Sequence, residues 1–358
     1  MSTALPEIPA FDFAAAEAAR SHQLTLTKPP GSLGRLEELA AFYAGARGRF
    51  PAAVPRRAEL VVFAADHGVA VEGVSAYPQA VTPAMVANFR AGGAAVNVLA
   101  RGADVAVTVV DIGVASAIPT LGPPPAGAPV GFVSARVRAG TGNLRREVAM
   151  SRAEAEAALA IGVELAATAV ARGADVLVGG DMGIANTTAS AALVCAFGGD
   201  DPGEIAGRGT GVDDDGLRRK AAGLRDALAL HRPERADPLG VLAALGGLEI
   251  AGLAGLMIGG AARRVPVIVD GFIAGAAALC ALRLRPALRP FLLLSHVSAE
   301  RGARRLCELL GEPAPLFDLG LRLGEGTGGV LAVPLLRAAV ALQVEMATFA
   351  GAAVPDRR

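Results

Sequence analysis

The sequence contains no tryptophan, and only two of its 358 residues are tyrosine. Proteins that bind single-stranded nucleic acid stack bases on aromatic side chains and hold the phosphates in a basic groove. This chain has 34 basic and 34 acidic residues, so its formal net charge is zero, and it has no basic stripe with interleaved aromatic residues. Nucleic acid is therefore not expected as a partner.

Cysteine is also scarce, with only Cys195, Cys280 and Cys307 and no CxxC spacing. This argues against a disulfide framework or a cysteine zinc site and is typical of a reducing cytoplasm. The four histidines show no spacing such as HExxH, and the hydrolase, Walker and dinucleotide fingerprints are missing, so no metal or cofactor is expected. The N-terminus, with Glu7 and Asp12, lacks the basic start and apolar core of a secretory signal, so we expect a cytoplasmic protein.

Long apolar runs without breaks are missing as well. Apolar residues make up 53% of the chain and charged residues 19%, which predicts a compact globular protein with a large core. The most apolar stretch, 239–262, has Glu249 as its only charge, but paired glycines at 246–247 and 259–260 interrupt it. A membrane span is normally a continuous apolar run of about 20 residues. We therefore interpret this stretch as buried helices and expect no membrane association.

Short apolar runs rich in Val, Leu and Ile predict buried parallel strands at 59–65, 105–110, 174–178, 265–269 and 290–294. Ala- and Leu-rich segments of helical length lie between them, which is the alternation of an α/β fold. Both chain ends are predicted to be helical and to pack together beside the sheet. The proline-rich segment 119–129 is predicted to be a surface loop, and no linker indicates a second domain.

A small or polar group follows each predicted strand. The polar residues in these groups are Asp66, Asp111, Asp181, Asp270 and Ser295. In open α/β sheets, ligands bind outside the carboxyl ends of the strands. These endings therefore predict a pocket along one rim of the sheet. For any single ending, a structural turn or helix cap is the stronger alternative.

Residues 324–329 read Gly-Glu-Gly-Thr-Gly-Gly, which places one carboxylate, Glu325, between glycines just before an apolar helical stretch. Glycine permits backbone angles and close ligand approach that a side chain would block. The carboxylate is therefore predicted to project into a cavity lined partly by backbone. A lone carboxyl group without neighbouring His or Cys suits a general base better than a metal ligand or a nucleophilic triad.

Two segments are candidates for binding an anion. Residues 181–188 read Asp-Met-Gly-Ile-Ala-Asn-Thr-Thr and open an Ala-rich helix, so they offer backbone N–H groups, hydroxyls and a positive helix end to a phosphate. An ordinary Asn or Thr helix cap is an equal alternative. Residues 207–211 contain three glycines and lead to Lys220, one of only two lysines in the chain, which suits a mobile loop that brings a cation to a phosphate. The carboxylates at 213–215 point in divergent directions and are expected to cap a helix rather than hold a metal.

These segments together resemble one family, the nicotinate-nucleotide–dimethylbenzimidazole phosphoribosyltransferases, which make the lower-ligand nucleotide of cobalamin. The matching stretches occur in order over nearly the whole chain. They are LTKPPGSLGRLEELA at 26–40, ADHGVAVEGVSAYPQAVTPAMVANF at 65–89, GDMGIANTT at 180–188, GRGTGVDDDGLRRK at 207–220, VDGFIAGAAAL at 269–279, SHVSAERG at 295–302 and LGEGTGG at 323–329.

The resemblance implies a single phosphoribosyltransferase unit over residues 1–358 that forms a homodimer. It implies a Rossmann-like parallel sheet flanked by helices, at about 50–318, and a small helical part built from both chain ends, at about 10–45 and 325–358. The implied substrates are nicotinate mononucleotide and 5,6-dimethylbenzimidazole.

By the same resemblance Glu325 is the catalytic base. The residues that it assigns to substrate binding are Gln79, Asp181, Gly183, Asn186, Thr187, Thr188, Lys220, Asp270 and Ser298. The segment around Gln79 is expected to face the aromatic base. Two positions depart from the family pattern, with Asp181 where Glu is usual and Ala185 where Gly is usual. Asp is one methylene shorter than Glu, so its carboxylate reaches less far toward a substrate.

The chemistry of this transfer agrees with a lone carboxylate. The leaving ring of nicotinate mononucleotide is a pyridinium, so its departure neutralises the ring nitrogen and needs no general acid. The acceptor attacks through one nitrogen and must lose a proton from the other, which a buried carboxylate can take. The alternatives are a related phosphoribosyltransferase with another acceptor (adenine, another benzimidazole or a phenol), a nucleotide-binding sensor without turnover, and an NAD-using enzyme. The missing dinucleotide fingerprint disfavours the last.

Overall fold

The computed structural model of the protein describes residues 5–122, 130–311 and 313–355. Its strands within these ranges are β1 (Ala58–Ala65), β2 (Val105–Gly113), β3 (Val130–Ser134), β4 (Val176–Met182), β5 (Val267–Val269) and β6 (Leu292–Leu294). Its helices are α1 (Phe13–Gln23), α2 (Arg35–Arg47), α3 (Val81–Arg90), α4 (Ala95–Gly102), α5 (Arg152–Ala171), α6 (Asn186–Gly198), α7 (Pro202–Ile205), α8 (Asp214–His231), α9 (Pro238–Leu245), α10 (Leu248–Ala261), α11 (Phe272–Leu284), α12 (Ala303–Leu310) and α13 (Thr327–Glu345). Short 3-10 helices cover Gly68–Glu72 and Pro286–Phe291.

The strands form one parallel sheet in the order β3-β2-β1-β4-β5-β6. Ala58 at the start of β1 pairs with Val105 of β2 on one side and with Val176 of β4 on the other. The order therefore reverses between β1 and β4. In open α/β sheets a ligand binds beside such a reversal, outside the carboxyl ends of the strands. The predicted Rossmann-like α/β architecture is confirmed.

Strand β1 is buried on both faces, which explains why its sequence is an almost continuous apolar run. Successive side chains point to opposite sides, so Leu60 and Val62 join one core while Val61 and Phe63 join the other. Helices α2, α3, α4 and α13 cover the Leu60 side. Helices α5, α6, α10 and α11 cover the Phe63 side. The sheet is thus the middle layer of three.

The strand ends differ from the sequence predictions in one informative way. Strand β2 continues to Gly113 and β4 to Met182, so Asp111 and Asp181 lie inside strands rather than after them. Strand β3 is not predicted by the sequence, because it is a short edge strand with largely exposed residues and a weak apolar signal. It follows the predicted loop at 119–129, of which residues 123–129 lie outside the described part of the chain.

The apolar stretch at 239–262 forms α9 and α10, as predicted, and every residue of α10 is buried. Its glycines allow α10 to lie directly on α5. A Cβ atom on Gly255 would lie 2.0 Å from the carbonyl oxygen of Leu159, and one on Gly162 would lie 2.0 Å from that of Gly252. Gly255 of α10 and Gly162 of α5 are therefore needed for close packing of these two helices.

Both chain ends contribute helices to one side of the molecule. Residues Leu26 and Thr348 form an isolated β-bridge, and Gln343 of α13 donates a hydrogen bond to the carbonyl oxygen of Ala19 in α1 at 3.0 Å. The first half of α13 also packs on the sheet, since Val330 belongs to the core on that side. The boundaries of a separate helical part stay a prediction.

Helix α13 is, by length and composition, the one helix in the described ranges that is apolar enough to cross a membrane. However, 56% of its apolar window is buried inside the protein. Core helices of globular proteins show the same composition.

Candidate active site

Glu325 lies where the chain enters α13, beside the carboxyl end of β4. Its φ is 63°, and that of Gly326, the N-cap of α13, is 92°. A Cβ atom on Gly180 of β4 would lie 2.4 Å from the carbonyl oxygen of Glu325, so the loop and the strand need glycine to approach each other. A non-glycine residue at positive φ costs about 1–3 kcal/mol and is concentrated at functional sites. The positive φ angles confirm the predicted backbone demand around Glu325, whereas close approach of a ligand and a cavity for the side chain stay predictions.

The carboxyl group of Glu325 is almost buried, with the residue 5% exposed. The Val96 N–H in the first turn of α4 hydrogen bonds to it, whereas its Oε2 has no hydrogen-bond partner among the described residues. Burial raises the pKa of Glu325 to about 7; the Val96 N–H opposes this shift and the nearby Asp270 adds to it. A carboxyl group with this pKa exists partly as the carboxylate at neutral pH and is suited to take a proton.

Asp270 fixes the segment that carries Glu325. Its Oδ1 accepts the N–H of Gly329 at 2.9 Å, and its Oδ2 accepts that of Gly326 at 3.3 Å, so it caps the start of α13. His296 Nδ1 lies 3.9 Å from Oδ1. Burial raises the pKa of Asp270, and the hydrogen bonds and His296 reduce that rise. The contacts of Asp270 are therefore with the Glu325 segment, and its assignment to substrate binding stays a prediction.

Asp181 lies beside the same loop, next to Gly324. Its Oδ2 accepts a hydrogen bond from the Asn186 amide at 3.0 Å, and a Cβ on Gly324 would lie 3.1 Å from the same oxygen. Burial raises the pKa of Asp181 well above its usual range, and the carboxylates of Asp270, Glu249 and Glu325 raise it further. Three buried carboxyl groups thus face the same edge of the sheet, and like charges disfavour their joint ionisation.

The predicted anion segment opens α6 without a side-chain cap. The N-cap is Ala185, at φ 76°, and the Asn186 side chain bonds to Asp181 instead. The alternative of an ordinary Asn or Thr cap is therefore wrong for α6. The Lys220 ammonium donates to Thr187 Oγ1 at 2.7 Å and to the Gly207 carbonyl at 3.1 Å, which joins the two predicted anion segments.

Lys220 is completely buried, and burial lowers its pKa to about 8 although Glu300 opposes the shift. Beside it, a cavity of about 400 Å³ is lined by Arg208, Arg301 and Arg322 together with Gly209 and Glu300. A buried ammonium, a helix start without a side-chain cap and arginines around a cavity are features that suit a phosphate group, and binding of one here stays a prediction. Within the described ranges no cluster of His, Cys, Asp or Glu is arranged to hold a metal ion.

The remaining predicted substrate-binding residues lie in the same region but differ in access. Gly183 packs against β1, where a Cβ would lie 2.4 Å from the carbonyl oxygen of Ala65. Half-buried Gln79 donates to the carbonyl of His67 at 3.4 Å, and Ser298 Oγ accepts the Glu300 N–H at 3.3 Å. Gly183 and Ser298 are buried as well, and Thr188 is completely buried.

Three of the strand-end residues have structural contacts. Asp66 accepts the Ala115 N–H at 2.8 Å, and Asp111 accepts the Val114 N–H at 2.9 Å. The Ser295 hydroxyl donates to the carbonyl of Val269 at 2.8 Å. All three contacts are structural, but only that of Asp111, three residues away, is the local turn that the alternative predicts; those of Asp66 and Ser295 join distant segments.

Two features of this edge have no counterpart in the sequence analysis. His67 Nε2 lies 2.6 Å from Glu249 Oε1 in a completely buried pair. Burial lowers the pKa of His67, but the Glu249 carboxylate more than offsets this and raises it overall. Arg322, three residues before Glu325, donates to the Gly209 carbonyl at 3.0 Å. The position of His67 after β1 is a sequence signal, whereas nothing local indicates the contact of Arg322.

The fold and the site are those of an α/β protein with a buried carboxyl group at the carboxyl edge of its sheet. The family model DBI_PRT, described as phosphoribosyltransferase, matches residues 8–354. The chain belongs to this phosphoribosyltransferase family, and the resemblance found in the sequence motifs is confirmed.

Relatives of known name cover nearly the whole chain. The nicotinate-nucleotide–dimethylbenzimidazole phosphoribosyltransferase of Roseiflexus sp. (strain RS-1) is 50% identical and aligns over 100% of this chain and 98% of its own. That of Chromobacterium violaceum is 53% identical over 97% of each chain. The crystal structure of the enzyme of this name from Thermus thermophilus has a TM-score of 0.87 at 46% identity and covers 97% of this chain and 100% of its own.

Proposed function

We propose that this chain transfers the phosphoribosyl group of nicotinate mononucleotide to 5,6-dimethylbenzimidazole, giving α-ribazole 5′-phosphate and nicotinate for the nucleotide loop of cobalamin. The observation that carries the proposal is Glu325, a nearly buried carboxyl group with a pKa of about 7 at the carboxyl edge of the sheet. The relatives whose names state these two substrates align with the chain over nearly its full length.

The reaction is a single displacement. One nitrogen of the acceptor forms a bond to C1′ while the bond from C1′ to the pyridinium nitrogen breaks, and its electron pair neutralises the leaving ring. The other nitrogen of the acceptor gives its proton to Glu325. General-base catalysis of this kind accelerates a reaction roughly 10²–10⁴-fold. Attack opposite the leaving group converts a β nucleotide into an α nucleotide, with no covalent intermediate. Alignment of both rings across C1′ supplies much of the remaining rate.

The phosphate of the nucleotide binds at the start of α6. Lys220 already donates to Thr187 there, and the positive end of α6, which has no side-chain cap, and the arginines around the neighbouring cavity favour a dianion. Asp181 and Asn186 line the path from this position to Glu325 and contact the ribose. The segment 75–79, which includes Gln79, forms the side of the site that binds the dimethylbenzimidazole acceptor, called the acceptor side below.

We also propose a cytoplasmic homodimer. Phe13 is 72% exposed and Leu24 55% exposed on the helical side of the molecule, and large apolar side chains at a surface favour association. Light scattering at micromolar concentration is expected to give twice the chain mass, and a monomer would contradict the dimer.

The test is to incubate the protein with both substrates and to identify the products by mass spectrometry and the anomer by NMR. The expected products are nicotinate and the α nucleotide, with activity unaffected by a chelator. A β product or metal-dependent turnover would contradict the mechanism. Preference for adenine or a phenol in a mixed-acceptor assay would instead favour a related transferase. Tight nucleotide binding without nicotinate release would favour a sensor.

A further inference from the structure

The loop at 207–211 contacts three parts of the proposed site. On the nucleotide side, the Gly207 carbonyl accepts a hydrogen bond from Lys220 at 3.1 Å. On the side of the catalytic carboxyl group, the Gly209 carbonyl accepts a hydrogen bond from Arg322 at 3.0 Å. Arg322 lies three residues before Glu325. The loop is thus fixed at two points by groups that belong to the phosphate position and to the catalytic segment.

The third contact is with the acceptor side and runs through Thr210. Its Oγ1 accepts the N–H of Ala76 at 3.3 Å and lies 3.3 Å from the hydroxyl oxygen of Ser75. The Ser75 hydroxyl in turn accepts the N–H of Tyr77 at 3.3 Å. One loop hydroxyl therefore organises two consecutive backbone N–H groups of the segment that leads to Gln79.

This contact is not part of a core. Thr210, Ala76 and Tyr77 are exposed, and Ser75 is half-buried. Loss of an exposed hydrogen bond has little effect on global stability, so a purely structural role of Thr210 would leave little trace. The hydrogen bonds of Thr210 fix the position of the segment 75–79 relative to the loop 207–211.

We propose that Thr210 is a positioning residue that sets the acceptor side of the site by holding the segment 75–79 against the loop 207–211. This inference rests on the proposed function, because it takes the heterocyclic acceptor to bind beside Gln79. It adds a determinant of acceptor recognition that touches neither substrate. The phosphate position does not depend on the Thr210 hydroxyl, since Lys220 contacts the loop through the Gly207 carbonyl.

The experiment compares Thr210→Val, which keeps the shape of the side chain, with Thr210→Ser, which keeps the hydroxyl. Thr210→Val is expected to raise the KM for dimethylbenzimidazole about three- to tenfold. The KM for nicotinate mononucleotide and kcat should stay within about twofold, and Thr210→Ser should restore the acceptor KM. An unchanged acceptor KM in Thr210→Val, an equal rise in both KM values, or failure of the serine variant to restore binding would overturn the inference.

A double-mutant cycle separates the contact from a general effect. Ser75→Ala and Thr210→Val should be non-additive on kcat/KM for the acceptor, because they remove the same interaction. Ser151→Ala is the matched control, since Ser151 is an exposed hydroxyl that accepts the Glu154 N–H at 3.2 Å at the start of α5, and its effect should be additive and near zero. Additive behaviour of Ser75 and Thr210 would contradict the proposed coupling.

The same assay distinguishes failure of the proposed function from failure of the inference about Thr210. The wild-type protein in the same assay must release nicotinate, and absence of release would refute the function rather than the role of Thr210. In that case calorimetric titration of dimethylbenzimidazole into the wild type and Thr210→Val decides the inference. About three- to tenfold weaker binding to the variant would support it, and equal binding would refute it.

Discussion

The two edges of the central sheet treat buried carboxylates in opposite ways. At the amino edge, Glu59 of β1 is 5% exposed but accepts a hydrogen bond from Thr108 at 2.8 Å and pairs with Arg172. At the carboxyl edge, Asp181, Asp270 and Glu325 are equally buried, and within the described ranges none has an Arg or Lys partner. Their pKa values are raised by burial.

The cavity at the amino edge is larger than the one beside Lys220. An open cleft of about 800 Å³ lies at the amino edge and is lined by arginines and acids that include Glu59 and Arg337. The Arg337 guanidinium donates to backbone carbonyls, for example that of Pro55 at 3.0 Å and that of Asp104 at 3.0 Å. The charges of Glu59 and Arg337 are thus satisfied by the protein itself. Burial with a partner contributes to the fold, whereas burial without a cationic partner prepares a group for proton transfer.

The largest expected effect is loss of the base. Glu325→Gln should lower kcat at least about a hundredfold while nucleotide binding is retained, because the amide keeps the shape of the side chain but cannot take a proton. Steady-state kinetics and calorimetry measure the two quantities. Glu345→Gln, at the exposed end of the same helix, is the control and should leave kcat unchanged. A wild-type rate in Glu325→Gln would remove Glu325 from the mechanism.

The next effect concerns the phosphate. Lys220→Met should weaken binding of nicotinate mononucleotide by about 10–100-fold, since a charge-assisted hydrogen bond in a buried site is lost. Arg225→Met is the matched control on α8, because Arg225 pairs with Asp201 at the surface at 3.0 Å. Titration calorimetry compares the two variants. Equal affinities for the nucleotide would place the phosphate elsewhere.

The smallest expected effect is on the free energy of unfolding. Replacing a buried glutamate by glutamine should change it in opposite directions at the two edges of the sheet. The folded-state pKa of Glu325 is raised from 4.5 to about 7, so its ionisation progressively destabilises the fold between these pH values, by about 3 kcal/mol above pH 7. Glu325→Gln should therefore raise the free energy of unfolding at pH 8 and have little effect below pH 4.5. Glu59→Gln should lower it by about 1–3 kcal/mol without changing kcat. Denaturant unfolding at pH 8 measures both changes, and destabilisation by both variants would contradict the comparison.

The sequence predicted those parts of the fold and site that leave a local signal. The two-sided burial of β1 produces an apolar run, and the backbone demands at Glu325 produce glycines around it. The edge strand β3 leaves little signal because its residues are largely exposed. The alternation of apolar runs and helical segments was sufficient to predict the α/β fold class. The order of the strands in the sheet could not be predicted and is known from the structure.

Contacts between distant segments could not be predicted. Asp270 and Gly326 are 56 residues apart, and only the folded chain shows that the carboxylate caps α13. The Val96 N–H that faces Glu325 likewise comes from a helix with no motif of its own. Sequence patterns located the strand-end acids as a group but could not tell Asp66 and Asp111, which hold backbone N–H groups, from the acids that surround Glu325.

The most direct test of the central claim is the pH dependence of the single-turnover rate for the wild type and Glu325→Gln. If Glu325 accepts the proton with a pKa of about 7, the wild-type rate should rise about tenfold per pH unit below pH 7 and level off above it. The rate of Glu325→Gln should be low and should lack this rise. A wild-type rate that is constant from about pH 5 to pH 9, or the same rise in Glu325→Gln, would contradict the account.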